Sequence, residues 1–564
     1  GDDADPQHVD FTGRLIHRAA IVNNFHGTHV TGTAGGAGIW NERYTGHAPK
    51  ATLLSQAMTG IWTNAPTYVN DYRMVITNNS YGNITTDCAY SGFYDNYSRI
   101  LDQQAFSLPK LINTFAAGNS GIGFPLDCTP FPAGYKSVVG GYQASKNVIT
   151  VGNVYADGVI FPQSSRGPVK DGRLKPEVCA DGAFVMSCAT AVNYAQNTGT
   201  SMANPSVAGT LALLYERYRQ LNGPASDPDN ALVKALLCNT ATDKGTAGPD
   251  YTYGFGIING LRAVENLEAG NYVQNSISTG GDNTFDITVP ANTAQLKVML
   301  YYNDPAAAPV AARALVNDLD LRLTTTAPAT YRPLILDSSA SGCTLPAVQG
   351  IDQRNNIEQV VIDNPTGTYT VHVAGTAVPV NGPQAYYVTY DIVPISATLT
   401  YPTGGERLVP GDVVVIYWDA FGGAPENFTL ELSTNNGGSW STLSNAVPAG
   451  QRYFVWTVPN TPSNQALIRL SRNNTALVST SGTFTILGAP TVSLSAVQCE
   501  SYVSVDWTAV PAATQYEIMM LQGNDMVSVA TVPAATSTYS IGGLSVDSVY
   551  WVSVRAIMSG VPGR

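Results

Sequence analysis

Four short stretches hold the residues whose types and spacing could do chemistry. Residues 199–209 read Gly-Thr-Ser-Met-Ala-Asn-Pro-Ser-Val-Ala-Gly. A glycine-led turn presents Ser201, and an apolar helical face follows at Val207, Ala208, Leu211, Leu214 and Tyr215. Pro205 is expected in the first turn, where its missing N–H loses no bond. A serine so placed has an exposed Oγ and a free backbone N–H aimed where an oxyanion would form. It is a weak nucleophile until a base activates it. His26 is the candidate base, opening the small-residue helix His-Gly-Thr-His-Val-Thr-Gly-Thr-Ala-Gly-Gly at 26–36. Residues 116–121, Ala-Ala-Gly-Asn-Ser-Gly, end an apolar strand in a tight turn that exposes the Asn119 amide. Acids come first, in Gly-Asp-Asp-Ala at 1–4 and His-Val-Asp-Phe-Thr-Gly-Arg at 8–14. Singly, each residue has a plain reading: Ser201 as a helix cap, His26 and His29 as an incomplete metal pair, Asn119 as a turn residue. Their shared order, Asp, His, Asn, Ser, is one that builds a Ser-His-Asp triad.

These stretches closely resemble the subtilisin-like serine proteases over about residues 1–267. Ser-Ser-Arg-Gly-Pro-Val-Lys-Asp-Gly-Arg-Leu-Lys-Pro-Glu-Val at 164–178 and Gly-Phe-Gly-Ile-Ile-Asn-Gly-Leu-Arg-Ala-Val at 254–264 carry the resemblance further. It implies that Ser201 attacks the scissile carbonyl and His26 takes and returns the proton. Asp2 would orient the imidazole, while Asn119 and the Ser201 N–H receive the oxyanion. Asp2-Asp3-Ala4 departs from the family's Asp-Thr-Gly or Asp-Ser-Gly, and Asp3 is the runner-up for the acid. Ser80-Tyr81-Gly82 matches the family's Ser-Leu-Gly strand, which takes substrate as an added β-strand. There Tyr81 would put an aromatic ring into the pocket region. The resemblance implies no cofactor for the chemistry, and structural calcium. Asp10 matches a calcium-ligating aspartate of the family, but Ile-Trp-Asn-Glu-Arg-Tyr at 39–44 replaces the companion Asn-rich loop.

The chain has 564 residues, of which 12% are Asp, Glu, Lys or Arg. That is about half the usual share and suits β-rich secreted modules. Its length requires several domains. A net charge of -12 argues against a nucleic-acid surface. No apolar run reaches the ~20 residues of a membrane span. Seven cysteines without a CxxC give no zinc ribbon. Cys88 and Cys128 flank the Asn119 strand in polar loops and read as a disulfide. Cys179 and Cys188 could form a second; Cys238 reads as a buried thiol, and Cys343 and Cys499 as unpaired.

The expected architecture is multidomain. Residues 1–267 alternate apolar strands (51–57, 74–80, 111–117, 148–152) with helices (near 26–36, 95–106, 201–221, 229–239), an α/β domain with a mostly parallel sheet. From 268 the period becomes two. Residues 268–395 resemble a jelly-roll β-sandwich of the proprotein-convertase P type, on the motifs Leu-Val-Asn-Asp-Leu-Asp-Leu (315–321) and Arg-Asn-Asn-Ile-Glu (354–358). Asp304, Asp318 and Asp320 are oxygen donors there suited to calcium. Residues 396–487 read as an immunoglobulin-like sandwich anchored by Trp418, Trp440 and Trp456, with an Asn-Gly hairpin turn within 432–440. Residues 488–564 resemble a fibronectin type III domain on Trp507, Tyr516 and Tyr550, incomplete at its C-terminus.

The reading is a secreted, extracellular or cell-surface endopeptidase acting on protein or peptide substrates. Its β modules would give stability, surface or matrix attachment, or substrate binding. The alternative is an adhesin or structural protein with an inert protease-like domain. A parallel sheet of this kind needs a central strand leading into the triad acid. Only Gly1 precedes Asp2, so either upstream residues or another segment is expected to fill that slot.

Overall fold

The computed structural model describes the chain except residues 1–2, 19–23, 57, 59–60, 327–328 and 424, and the side chains of 61–62. It divides into two compact units, residues 1–393 and 394–564.

The first unit opens on a two-stranded parallel pair, β1 (Leu15–His17) and β2 (Leu53–Ser55). A four-stranded parallel sheet follows in the order β3 (Ile76–Asn79), β4 (Ile112–Ala116), β5 (Ile149–Val154) and β6 (Val178–Asp181). All of β4 and β5 is buried, as the uninterrupted apolar runs require. A hairpin, β7 (Val185–Cys188) and β8 (Tyr194–Asn197), lies beyond β6 in sequence. The helices are α1 (Phe25–Gly35), α2 (Ile61–Tyr72), α3 (Asn96–Ser107), α4 (Thr200–Asn222), α5 (Asn230–Asn239) and α6 (Gly260–Glu268). Helix α2 was not expected, because Pro66 and short polar residues blur its apolar face. Among the described residues no strand pairs between β2 and β3. The two strands border a cavity of about 790 Å³, lined by Leu53, Ser55, Met74, Ile76 and Asn78 and reaching His26 and Ser80.

Residues 272–394 supply two four-stranded antiparallel sheets. One has the order β10 (Asp282–Val289), β17 (Gly367–Ala377), β12 (Asp318–Thr325), β13 (Thr330–Tyr331). The other has β16 (Ile357–Asp363), β11 (Thr293–Tyr301), β18 (Gln384–Pro394), β9 (Tyr272–Ile277). The short pair β14 (Leu334–Ile335) and β15 (Val348–Gln349) stands apart. Inward residues of both sheets, among them Leu321, Val371, Val298 and Val360, form one core. The outer face of the second sheet joins the core of the parallel sheet's helices: Met299, Tyr301, Ile357 and Tyr387 cluster with Val207, Leu211, Leu232 and Leu236.

Buried charges lace the same junction. Lys146 Nζ, fully buried, donates to Asp304, to the Pro305 carbonyl at 2.5 Å and to the Ala314 carbonyl at 2.8 Å. Arg262 on α6 pairs with Asp391 on β18. Under the parallel sheet Glu177 takes Lys175 at 2.5 Å and Lys234 at 2.7 Å. Burial there pulls the Lys175 ammonium down to about 7. Each of these ions has a partner, the condition under which burying charge is tolerable.

The second unit is all β. The sheet of Ser396–Tyr401, Val413–Phe421 and Tyr453–Thr457 encloses a core with strands that include Phe428–Ser433 and Ser463–Arg472. Trp418 and Trp456 are buried in it, but Trp440 is not a core anchor: it is half-buried beneath the Arg469 guanidinium, 4.1 Å from the ring centroid. Asn436 and Gly437 both turn with positive φ, 53° and 84°, and close the expected hairpin. Residues 492–562 form a three-stranded and a four-stranded antiparallel sheet around Trp507, Tyr516 and Ile518.

Cys88 and Cys128 are joined. Cys179 and Cys188 are not, which corrects the expectation of a second bond. Cys179 packs with Val154 and Tyr253, Cys188 with Ala4 and Phe11, in two separate clusters. Cys238, Cys343 and Cys499 are also free.

Candidate active site

Helix α4 begins at Thr200, with Gly199 (φ 153°) as the turn residue before it. A side chain at Gly199 would lie 3.2 Å from the Asn119 amide nitrogen, so only glycine leaves that amide clear. Asn119 is exposed, and its Oδ1 accepts twice from Thr200, from the N–H at 2.9 Å and the hydroxyl at 3.0 Å. Thr200 Oγ1 in turn accepts from the Gly118 N–H at 3.2 Å. The carbonyl end of the amide is thus pinned to Thr200, the residue before Ser201, whose own N–H is one of the first-turn donors that a helix leaves without an internal acceptor. The sequence reading did not identify Thr200 in this role. Its signal was the hydroxyl directly before the candidate nucleophile.

Pro205 corrects another expectation. It is the sixth residue of α4, not a member of the first turn. Lacking an N–H, it cannot bond the Ser201 carbonyl four residues back. Ser80 Oγ donates to that carbonyl instead, at 2.9 Å. Ser201 Oγ lies 3.4 Å from the Ser80 carbonyl. The end of β3 is thereby fastened to the turn that carries Ser201. Asn204 adds a second tie, donating to Asn78 Oδ1 at 2.6 Å.

His26 is the second residue of α1, half-buried, and lines the cavity that also reaches Ser80. Asn24 caps the helix by accepting from the His26 N–H at 2.8 Å. His29 has a structural place: its buried Nε2 lies 3.0 Å from the Val185 carbonyl and 3.1 Å from the Ala195 carbonyl, one on each strand of the β7–β8 hairpin. Burial holds its pKa below the usual histidine value. Gly32 and Gly36 let α1 lie against Cys188, whose sulfur would be 2.7 and 3.2 Å from an added Cβ.

Asp2 lies outside the described residues. Asp3, the runner-up acid, is buried. It bonds His17 Nδ1 at 3.1 Å and Ser55 Oγ, which ties it to β1 and β2. Its neighbourhood is laced to α1: the Asn24 N–H donates to the Asp3 carbonyl at 3.4 Å, and the Asp5 N–H to Thr28 Oγ1 at 2.9 Å.

Ser80-Tyr81-Gly82 lies just past the end of β3, outside any strand. The Tyr81 ring packs edge-on against Phe115 and Tyr142, and its hydroxyl donates to Asn79 Oδ1 at 2.8 Å. Tyr81 is therefore part of an aromatic cluster, and it also lines the cavity that reaches His26 and Ser80. Gln143 Nε2 holds the Tyr81 carbonyl at 2.8 Å.

The acids read as calcium donors are also dispersed. Asp304 accepts from Lys146 and from the N–H groups of Val316 (2.9 Å) and Asn317 (2.8 Å), so it serves an ion pair. Asp318 accepts from Arg313 at 2.7 Å, and Asp320 from Thr376 Oγ1. Asp10 is buried and accepts from the Ile39 N–H at 2.9 Å and Tyr194 Oη at 2.9 Å. His8, Asp10 and Cys188 are the one set of three ligand-type groups among the described residues whose atoms all lie within 4.8 Å of one another. His8 spends its nitrogens on the Asp10 N–H at 3.2 Å and the Asn193 carbonyl at 3.0 Å, and Cys188 donates to Asp10 at 3.5 Å. Each of the three groups already has hydrogen-bond partners within the fold.

Residues 17–256 match the model of the Subtilase family. Among curated relatives, the serine protease AprX of Bacillus subtilis is 27% identical over 46% of this chain and 63% of its own length. Subtilisin DY of Bacillus licheniformis is 28% identical over 42% of this chain and 76% of its own. The serine protease/ABC transporter B family protein tagA of Dictyostelium discoideum is 27% identical over 42% of this chain, which spans only 16% of that protein. Solved structures similar to this part of the chain include the prenylagaramide maturation protease PagA, at 22% identity and a TM-score of 0.35, covering 47% of this chain and 90% of that one. The 17–256 region is thus a Subtilase-family domain, and the chain carries a subtilisin-like serine peptidase.

Proposed function

We propose that the chain is a secreted endopeptidase that hydrolyses peptide bonds through an acyl-enzyme intermediate. Ser201 Oγ attacks the scissile carbonyl, and His26 accepts its proton and returns it to the leaving amine. Asp2 fixes the imidazole tautomer and stabilises the imidazolium. The Asn119 Nδ2 and Ser201 N–H groups donate to the tetrahedral oxyanion. The observation that carries this reading is the double hold of Thr200 on Asn119 Oδ1, which pins that amide to the residue before Ser201 ahead of substrate. Substrate adds as an extended strand along Ser80-Tyr81-Gly82, whose backbone is held by Ser201 and Gln143.

In this reading residues 268–395 are a jelly roll integral to the catalytic unit, and 396–487 and 488–564 are immunoglobulin-like and fibronectin type III-like modules for attachment. The test is a fluorophosphonate probe with a peptide library. Parent protein should be labelled at Ser201 and cleave internal bonds; Ser201→Ala should do neither. A parent that takes no label and cleaves nothing rules the enzyme out.

A further inference from the structure

A lysine and two aspartates meet in the dry junction between the parallel sheet and the sandwich. Lys146 precedes β5, Asp102 is on α3 and Asp304 follows β11, and all three side chains are fully buried. Lys146 Nζ donates to Asp304 Oδ2 and lies 3.8 Å from Asp102 Oδ2. The Tyr94 ring lies beside the ammonium, its centroid 5.9 Å from Nζ. The next cation, Arg173, is taken by Asp171 at 2.7 Å. One ammonium thus serves two carboxyl groups out of water, where like charges that share a site cannot both ionise freely. Burial holds the Asp304 carboxyl above its usual range. At Glu177 the balance is reversed: one carboxylate takes two ammoniums, and against the effect of burial Lys175 and Lys234 hold it below the usual range.

The surroundings fix all three groups around one carbon, Asp304 Cγ. Each Asp304 oxygen accepts from a backbone N–H, Oδ1 from Asn317 at 2.8 Å and Oδ2 from Val316 at 2.9 Å. Such a pair of donors polarises the carboxyl carbon and is placed to hold a tetrahedral oxyanion. The Pro305 and Ala314 carbonyls, at 2.5 and 2.8 Å, hold Lys146 Nζ in place. A nitrogen in hydrogen-bond contact with a carboxyl oxygen is close to the ~3–3.5 Å from its carbon that a near-attack arrangement needs. Asp102 is steadied by Tyr94 Oη at 2.7 Å, Ser145 Oγ at 2.6 Å and the Asn147 N–H at 3.0 Å. Nucleophile, electrophile, oxyanion donors and a proton carrier are therefore all present, with water excluded. Well-oriented pairs of this kind reach effective molarities of about 10⁵–10⁸ M, which lets an unactivated carboxyl react.

We propose that Lys146 and Asp304 close an isopeptide bond, with Asp102 carrying the proton. The ammonium first passes a proton to Asp304, leaving a neutral amine and a carboxylic acid. Nζ then attacks Cγ, and the electron pair of the C=O bond moves to the oxygen held by a backbone N–H. Asp102 takes a second proton from the nitrogen. The C=O bond re-forms as the hydroxyl leaves with that proton as water, and Asp102 is a carboxylate again. In sum, one ammonium and one carboxylate give one amide and one water. The remaining amide N–H can keep the Pro305 or the Ala314 carbonyl as its acceptor. The bond ties the parallel-sheet layer to the sandwich across 158 positions of chain. The proposal does not depend on the proteolytic reading of Ser201.

The test uses the full chain with Ser201→Ala to prevent self-digestion. Mass spectrometry of the reduced, denatured protein should find it lighter than its sequence by one water. Trypsin cannot cut at an acylated lysine, so the digest should contain residues 137–166 joined to 298–313 as one branched peptide. Neither segment contains a cysteine, so a disulfide cannot join them. Nor can Asp304 lose water to its own backbone as a succinimide, because Pro305 has no N–H. Lys146→Arg keeps the positive charge but should restore the full mass and abolish the branched peptide. Asp102→Asn, which keeps the shape and loses the proton carrier, should leave the chain unlinked. A parent of full sequence mass without the branched peptide overturns the proposal, and this result needs no variant to fold. So does a loss of water that persists in Lys146→Arg. Complete linkage in Asp102→Asn overturns the part given to Asp102.

Discussion

The two sides of the proposed catalytic cleft are built differently. On the Ser201 side, α4 leaves the end of a four-stranded sheet buried on both faces. Its polar groups are matched one to one: Ser80 with the Ser201 carbonyl, Thr200 with Asn119, Asn204 with Asn78. On the His26 side, α1 packs against α4 and against the β7–β8 hairpin, which His29 joins, and the acid segment 3–5 is held by scattered bonds to α1, β1 and β2. Nearly everything that orients Ser201 and Asn119 lies within a residue or two of them or of β3. What holds Asp3 comes from His17 and Ser55, 14 and 52 positions along the chain. The first side should therefore show sharp, local mutational effects, and the second should trade activity against stability.

The largest expected effect is that of Ser201→Ala, which should lower kcat by about 10⁶ and leave a small residue of turnover from the oxyanion donors. Steady-state kinetics with active-site titration measures it. On the other side Asp2→Asn should cost about 10⁴ in kcat with the fold intact, since an amide leaves the imidazole in the wrong tautomer. Asp3→Asn should act mainly on stability, because Asp3 serves His17 and Ser55. If Asp3→Asn is the one that loses the 10⁴, the acid is Asp3 and the comparison is redrawn around β1 and β2. Asn119→Ala comes next, at about 10²–10³ in kcat with KM little changed.

How much of this was legible follows the same division. The strands at 76–79, 112–116 and 149–154 and the helices α1, α3, α4 and α5 follow from apolar runs and capping signals, and their positions agree with the sequence reading to within a few residues. Ser201, His26 and Asn119 were picked out by contiguous motifs, whereas the contacts that hold Asn119 and Ser201 join stretches 81 and 121 positions apart. The aromatic partners of Tyr81 were not legible, because Phe115 and Tyr142 lie more than thirty residues away. Asp304 read as a free oxygen donor because Lys146, its partner, lies 158 positions upstream. Cys179 and Cys188 are close in sequence, but the turn between β6 and β7 sends them into different clusters. Trp440 has the spacing of a core residue, yet it ends half-buried beneath Arg469. Spacing reports a local period, whereas pairing across the fold is set by topology.

Acidification should test the tie that His29 makes between α1 and the β7–β8 hairpin. His29 is buried neutral, and its folded pKa is below the ordinary value of about 6.5. As pH falls through 6.5 the unfolded chain binds a proton that the folded chain refuses. Stability is therefore complete above that pH and declines until the folded pKa is reached. Thermal unfolding of the Ser201→Ala chain between pH 7 and 5 should show this slope, and His29→Gln should flatten it. Equal slopes in the two chains would remove His29 as the cause.

The smallest effect tests the Ser201 side at its tightest point. Pro205 deprives the Ser201 carbonyl of its helical donor, and Ser80 Oγ takes that place at 2.9 Å. Removing the hydroxyl in Ser80→Ala should cost about 1 kcal/mol of stability, the net worth of an ordinary hydrogen bond, with a modest loss of kcat as the turn loosens. Pro205→Ala restores an N–H that can reach the same carbonyl. If the Ser80 bond exists to replace the proline's missing donor, the two changes must couple: Ser80→Ala should cost clearly less in the Pro205→Ala background than in the parent. Chemical denaturation of the four chains of this double-mutant cycle measures the coupling. A cost for Ser80→Ala that is the same in both backgrounds would mean that the Ser80 contact is incidental. The tie between β3 and the nucleophile turn would then rest on Asn204 and Asn78 alone.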